Sequence, residues 1–266
     1  MEPATQPVLI TREGSSLVIM LNRPERRNAF DLEMRAAMAD AVFQARDDAQ
    51  VKSVILCGAG QHFSAGGDLK SLSEKPLPPS AARDRIRRLH LWFRELVNLE
   101  KPVIAAVEGA AYGGGFHLAL AADFILAARD ARFCAVFARM GMVPDLGGFY
   151  LLPRIVGLQR AKEIVFTGRE ISAKEAADLG MVFEVHEPGT TLAQARELAE
   201  RMASAPTEAL GMAKNVLNRS FNLDQDTLAE MEASAQAIAL NSQYHQDAVQ
   251  RFLNKEAMAY TWPAKR

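Results

Sequence analysis

Ser53-Val-Ile-Leu-Cys-Gly58, leading to Phe63-Ser-Ala-Gly-Gly-Asp68, and Pro102-Val-Ile-Ala-Ala-Val107, leading to Tyr112-Gly-Gly-Gly-Phe116, are the two stretches that decide the reading of this chain. In each, a β-branched apolar run feeds a glycine turn that opens into a helix. The first-turn amides of such a helix have no partner within it, so the turn presents N–H groups to a phosphate or a developing oxyanion. Two such turns predict a two-donor oxyanion hole.

Working outward, Val8 to Ile10 and Leu17 to Leu21 read as a hairpin around Glu13-Gly-Ser, followed by the polar loop Asn22-Arg-Pro-Glu-Arg-Arg-Asn28. Asp31 caps a helix that carries Leu32, Met34, Met38, Ala41, Val42 and Ala45 at helical spacing, before Val51 to Leu56 resumes as a strand. Pro76, Pro78 and Pro79 make Ser73 to Ser80 a loop bordering a pocket. A helix from about Ala81 to Leu99 stops before Pro102, and a further strand spans Phe124 to Ala127. Beyond Leu158 the pattern is helical over 161–166, 173–179, 192–203, 208–218 and 227–255, with only Val182 to Val185 extended. The fold class is α/β, with a core over 1–195 and a C-terminal helical oligomerisation region over 196–266.

Composition narrows the partners. Thirty-one basic against thirty-two acidic residues give no global field for nucleic acid or an anionic membrane. The arginines at 83, 85, 87, 88 and 94 read as a solvated helix face, or as groups that meet phosphate. Cys57 and Cys134 lack metal-ligand spacing and read as buried free thiols in a reducing compartment, and no metal site emerges from the histidines. The N-terminal residues lack a charged region followed by an apolar one, and the longest apolar stretch is broken by Glu108, glycines and Asp123. A cytoplasmic protein without a membrane span is the expectation.

Leu21-Asn-Arg-Pro24, Phe63-Ser-Ala-Gly-Gly-Asp-Leu69, Lys101-Pro-Val-Ile-Ala-Ala-Val-Glu-Gly109, Gly113-Gly-Gly115 and Leu179-Gly-Met-Val182 together resemble the enoyl-CoA hydratase/isomerase (crotonase) family, in order and over nearly the whole chain. The resemblance implies a β-β-α spiral core, C-terminal helices that assemble a homotrimer or dimer of trimers, and an acyl-CoA thioester substrate that passes through an enolate. Coenzyme A is then part of the substrate, and no separate cofactor is implied. Gly67 and Gly114 match the family's oxyanion donors. Ala65, Asp68 and Leu69 fall beside the adenine, Arg26 along the pantetheine or phosphate path, and Phe252 and Lys255 at a C-terminal aromatic and lysine that reach coenzyme A. Some relatives bind RNA, but this charge balance gives that little support.

The departures from the family pattern bear on the chemistry. Hydratases of the family carry two glutamates where this chain has His117 and Phe137. Adding water divides between two carboxylates the work of activating water and protonating carbon, and phenylalanine can do neither. A carboxylate reappears at Asp145 in Gly141-Met-Val-Pro-Asp-Leu-Gly-Gly148, where the family's dienoyl-CoA isomerases and the ring-epoxide isomerase of phenylacetate breakdown place a catalytic aspartate. The same string is also good turn chemistry, with Asp145 as a helix cap. His90, in Leu89-His-Leu-Trp-Phe93, stands where 4-chlorobenzoyl-CoA dehalogenase has a base, and His117 either carries a proton or shapes the pocket. The reading is an isomerase that shifts a double bond. The alternatives are a hydratase with atypical acid/base groups, a dehalogenase-like enzyme that attacks through the aspartate, and a non-catalytic acyl-CoA-binding protein.

Overall fold

The computed structural model describes residues 6–74 and 77–262. The hairpin forms first: β1 (Val8–Glu13) pairs antiparallel with β2 (Ser16–Leu21). Asp31 accepts a hydrogen bond from the Met34 amide and so caps α1 (Leu32–Asp47). Then follow β3 (Ser53–Gly58), α2 (Leu69–Glu74), α3 (Pro79–Val97), β4 (Val103–Val107), β5 (Ala110–Tyr112), α4 (Gly114–Leu120), β6 (Phe124–Ala128) and β7 (Arg132–Cys134). Pro79 supplies the first turn of α3, where its missing N–H costs nothing. The proline segment read as a loop therefore lends its end to a helix, and Lys75 and Pro76 lie outside the described residues.

The second half is helical, with α5 (Gly148–Val156), α6 (Leu158–Thr167), α7 (Ala173–Asp178), α8 (Thr191–Ala203) and α9 (Thr207–Arg219). Two strands lie within it. The expected Val182 to Val185 is displaced to β9 (Glu184–His186), and β8 (Glu170–Ser172) is a strand that periodicity did not reveal. The single helix expected over 227–255 is two, α10 (Gln225–Leu240) and α11 (Gln243–Leu253), because Ser242 turns outward and caps the second by accepting from the His245 amide.

Six strands form one sheet in the order β1-β2-β3-β4-β6-β9, parallel beyond the opening hairpin, and β5-β7-β8 form a second. Alternation along each strand sorts side chains to opposite faces. Val54, Leu56, Val103, Ala105 and Val107 enter the larger core with α1 and α3, whereas Ile55, Cys57, Ile104 and Ala106 meet Ala195, Leu198, Ala199 and Met202 of α8. The division at 195/196 thus passes through a helix that covers the sheet. Cys57 and Cys134 are buried free thiols, and burial pushes the Cys57 thiol up to about 12.

Helix α9 is fastened to the sheet by Lys214, which donates to Asp123 Oδ2 at 2.7 Å and to the Lys101 carbonyl at 3.0 Å, while Asp123 also accepts from the Val103 amide. Burial opposes both charges, so each depends on the other. Lys214→Met strands the Asp123 carboxylate; urea unfolding is expected to show a loss of about 3 kcal/mol, whereas Lys214→Met combined with Asp123→Asn recovers part of it.

Candidate active site

Asn28 builds the first glycine turn. Wholly buried, it donates through Nδ2 to the Ala59 and His62 carbonyls and accepts from the Arg23 amide, so the polar loop after β2 clamps the loop after β3. Buried Ser64 continues this: its Oγ donates to the Asn28 carbonyl and accepts from the Gly66 amide, and its backbone pairs with β5 through Ala110 and Tyr112. The first turn is thereby laid against the second. A Cβ at Gly66 would stand 2.5 Å from the Tyr112 carbonyl oxygen and 3.1 Å from the Gly114 nitrogen, at φ +85°. A Cβ at Gly115 would stand 2.5 Å from the Ser64 carbonyl oxygen. Glycine is required where the two backbones touch.

This contact leaves Gly67 and Gly114 on the wall of one cavity of ≈ 700 Å³. Among the described residues neither amide donates to a protein acceptor. Phe30 frames the pair by accepting from the Asp68 amide and donating to the Gly66 carbonyl, which leaves the Gly67 N–H between them unused.

Asp145 lies opposite. A Cβ on Gly114 would be 3.8 Å from its Oδ1, an oxygen that is shielded from solvent and has no hydrogen-bond partner. The cap reading of Asp145 fails: α5 begins at Gly148 with Gly147 in the capping position, and no side chain closes that end. Leu146, φ +44°, takes a left-handed conformation, a cost of order 1–3 kcal/mol for a non-glycine residue. Its buried side chain packs on Gly114, so the strain is held in place by the oxyanion turn. Burial raises the proton affinity of Asp145, and the cations of Arg35, His90 when protonated, and Arg85 pull the other way without overcoming it.

His117 is fully buried behind this wall and stacks on Phe137 at 5.2 Å between centroids. Its Nδ1 lies 2.7 Å from the Asp145 carbonyl oxygen. A carbonyl only accepts, so the neutral ring carries its proton on Nδ1 and leaves Nε2 as a bare acceptor without a partner. Desolvation depresses its pKa to about 4. Phe137 lines the cavity and His117 does not; His117 meets Asp145 through its backbone carbonyl.

Of the other residues singled out, Ala65, Leu69 and His90 line the cavity. The side chain of Asp68 is taken up at the start of α2, where it accepts from the Lys70 and Ser71 amides and pairs with Arg23. Arg26, Phe252 and Lys255 do not line the cavity: Arg26 is exposed in a short 3-10 turn, and Phe252 and Lys255 are exposed on and just beyond α11. Three cations line the cavity that the sequence reading did not assign to the site: Arg35 of α1, and Arg83 and Arg85 of α3. The reading of the arginine helix as a solvated face holds for Arg87, Arg88 and Arg94, whereas Arg83 is exposed and Arg85 half-buried at the cavity wall. Among the described residues no group of three or more His, Cys, Asp or Glu side chains is placed to hold a metal, and no helix is long and apolar enough to cross a membrane.

Comparison with known proteins agrees with this geometry. The family described as enoyl-CoA hydratase/isomerase matches residues 11–262. A 1,2-epoxyphenylacetyl-CoA isomerase of Escherichia coli K12 is 36% identical over 251 residues, covering 94% of this chain and 96% of its own length. A carnitinyl-CoA dehydratase of Escherichia coli K12 is 41% identical over 208 residues, 78% of each chain. The crystal structure of an enoyl-CoA hydratase/isomerase from Cupriavidus metallidurans CH34 superposes with a TM-score of 0.93 at 37% identity, over 99% of both chains. The chain belongs to the enoyl-CoA hydratase/isomerase family and has the crotonase fold.

Two pH effects follow from the buried groups. The native state holds a proton on Asp145 more tightly than the unfolded chain, whose value is 3.8, so ionising it costs stability as pH rises through that interval. Asp145→Asn is expected to raise the melting temperature at neutral pH, with a gain that vanishes in acid. His117 works in the opposite sense: stability falls as pH drops from 6.5 to about 4, by about 3 kcal/mol in full. His117→Gln should flatten that acid limb in denaturant titrations.

Proposed function

We propose that this protein is an acyl-CoA isomerase that moves a carbon–carbon double bond through a thioester enolate. The observation that carries the reading is the unpartnered, desolvated Asp145 carboxylate beside Gly114, in a site whose two hydratase glutamate positions hold His117 and Phe137. The thioester oxygen sits between the Gly67 and Gly114 amides. Asp145 removes a proton from the carbon alpha to the thioester of a 3-enoyl substrate; the C–H pair delocalises onto that oxygen, and the same carboxyl returns the proton at the gamma carbon. One carboxyl suffices because the proton is moved rather than consumed. Its raised proton affinity makes it the stronger base for the first half of the exchange, and moves it toward the operating pH, where one group serves as base and then as acid. Similarity to the 1,2-epoxyphenylacetyl-CoA isomerase supports an isomerase, and similarity to the carnitinyl-CoA dehydratase keeps water addition or loss as the second reading.

Assembly and location belong to the same reading. Helices α10 and α11 bury no residue within the chain, which suits a homotrimer or dimer of trimers in the cytoplasm.

The test is to incubate the protein with 2-enoyl, 3-enoyl and aromatic acyl-CoA thioesters and separate products by mass. A product of unchanged mass is expected, with kcat lowered by roughly 10²- to 10⁴-fold in Asp145→Asn. The rate should rise with pH through a midpoint above the ordinary carboxylate value. A product heavier by one water, formed equally by Asp145→Asn, would overturn the proposal.

A further inference from the structure

The cavity is mostly apolar, yet arginines from two helices enter its wall, Arg35 from α1 and Arg85, with the exposed Arg83, from α3. Arg35 Nε and Nη1 and Arg85 Nε are shielded from solvent without a hydrogen-bond partner, and among the described residues neither arginine has a carboxylate within ion-pair distance. Unpaired buried donors on cations are costly to keep, so their retention points to an anion that arrives with a ligand. Both residues also line a second cavity of ≈ 610 Å³, which shares Leu89 and Trp92 with the first. The arginines therefore stand where the substrate cavity passes into a further space between α1 and α3.

Two parts of an acyl-CoA can be anionic. The phosphates of coenzyme A are separated from the thioester by the whole pantetheine arm, whereas Arg35 and Arg85 are near enough to Asp145 to oppose its protonation. Asp145 in turn lies beside the oxyanion turn. The pair is thus on the acyl side of the thioester.

We infer that Arg35 and Arg85 select acyl-CoA thioesters whose acyl chain ends in a carboxylate, held by both guanidinium groups at the junction of the two cavities. The inference rests on the proposed placement of the thioester between Gly67 and Gly114, and it names the substrate class of that site. The two arginines present a planar, multi-donor surface that suits a carboxylate and has no use for a terminal methyl.

Binding tests this separately from catalysis. In the Asp145→Asn background, calorimetric affinities would be compared for 2-pentenedioyl-CoA against 2-pentenoyl-CoA and for 2-octenedioyl-CoA against 2-octenoyl-CoA, which span the reach of the cavity. At least one dicarboxylic thioester should bind about 10- to 100-fold tighter than its methyl-ended counterpart. Arg35→Met or Arg85→Met should erase the preference, bringing the affinities of the two members of a pair together. Equal affinities within both pairs would overturn the inference, with no variant needed. So would an equal loss for both members of a pair, since the arginines would then contribute to binding without regard to the end of the acyl chain. Selective binding without isomerisation would refute the proposed reaction and leave this specificity standing.

Discussion

The contact between Gly66 and the backbone of Tyr112 to Gly114 is the constraint from which the site follows. Two loops that leave different parallel strands approach until a single added methyl would meet a carbonyl oxygen at 2.5 Å. Ser64 pairs with β5 on one side, and Asn28 and Phe30 hold the other. The backbone bonds close around Gly67 and Gly114 without using their amides, so both N–H groups are left without a protein acceptor on residues that line the cavity. Donors fixed in this way need no reorganisation when charge develops on a ligand oxygen, which is the condition under which such donors are most effective.

Charge in the cavity is arranged as a competition. Apolar walls raise the proton affinity of Asp145, and the cations of α1 and α3 lower it. Burial outweighs the opposing pull of these cations. His117 adds no charge, since it is neutral until about pH 4; it contributes a hydrogen bond to the Asp145 backbone and a ring that supports Phe137. His117 is therefore part of the scaffold that holds the Asp145 backbone and the Phe137 ring together.

Much of this was legible in the sequence because it is carried by local rules. Strands β2, β3 and β4 alternate between two buried faces, Asp31 caps α1 as its position before Leu32 foretold, and the glycine runs mark a place where side chains are excluded. What was missed is what local rules do not contain. Arg35 sits between Met34 and Met38 on a helix whose apolar spacing says which face is buried, but not that the neighbouring residue reaches a cavity shared with α3. Arg83 and Arg85 are two of five arginines with the same local context, and only the packing of α1 against α3 shows that these two line the cavity while the others do not. Strand β8 has three residues and no period to detect. The break between α10 and α11 did have a signal, Ser242 capping the His245 amide, outweighed by the helical composition on both sides.

The strained backbone at Leu146 connects the scaffold to the chemistry. A leucine in the left-handed region is unfavourable on its own, and the adjacent Asp145 would satisfy its carboxylate better in solvent. Both costs are met by the same packing: Leu146 fills the space left by the missing side chain of Gly114, and the Asp145 carbonyl accepts from His117. The glycine whose amide is left without a protein acceptor thus also provides the seat for the residue next to the carboxylate. The Gly114 amide and the Asp145 carboxylate are consequently set by one contact, so their separation is fixed by packing rather than by the length of the chain between them.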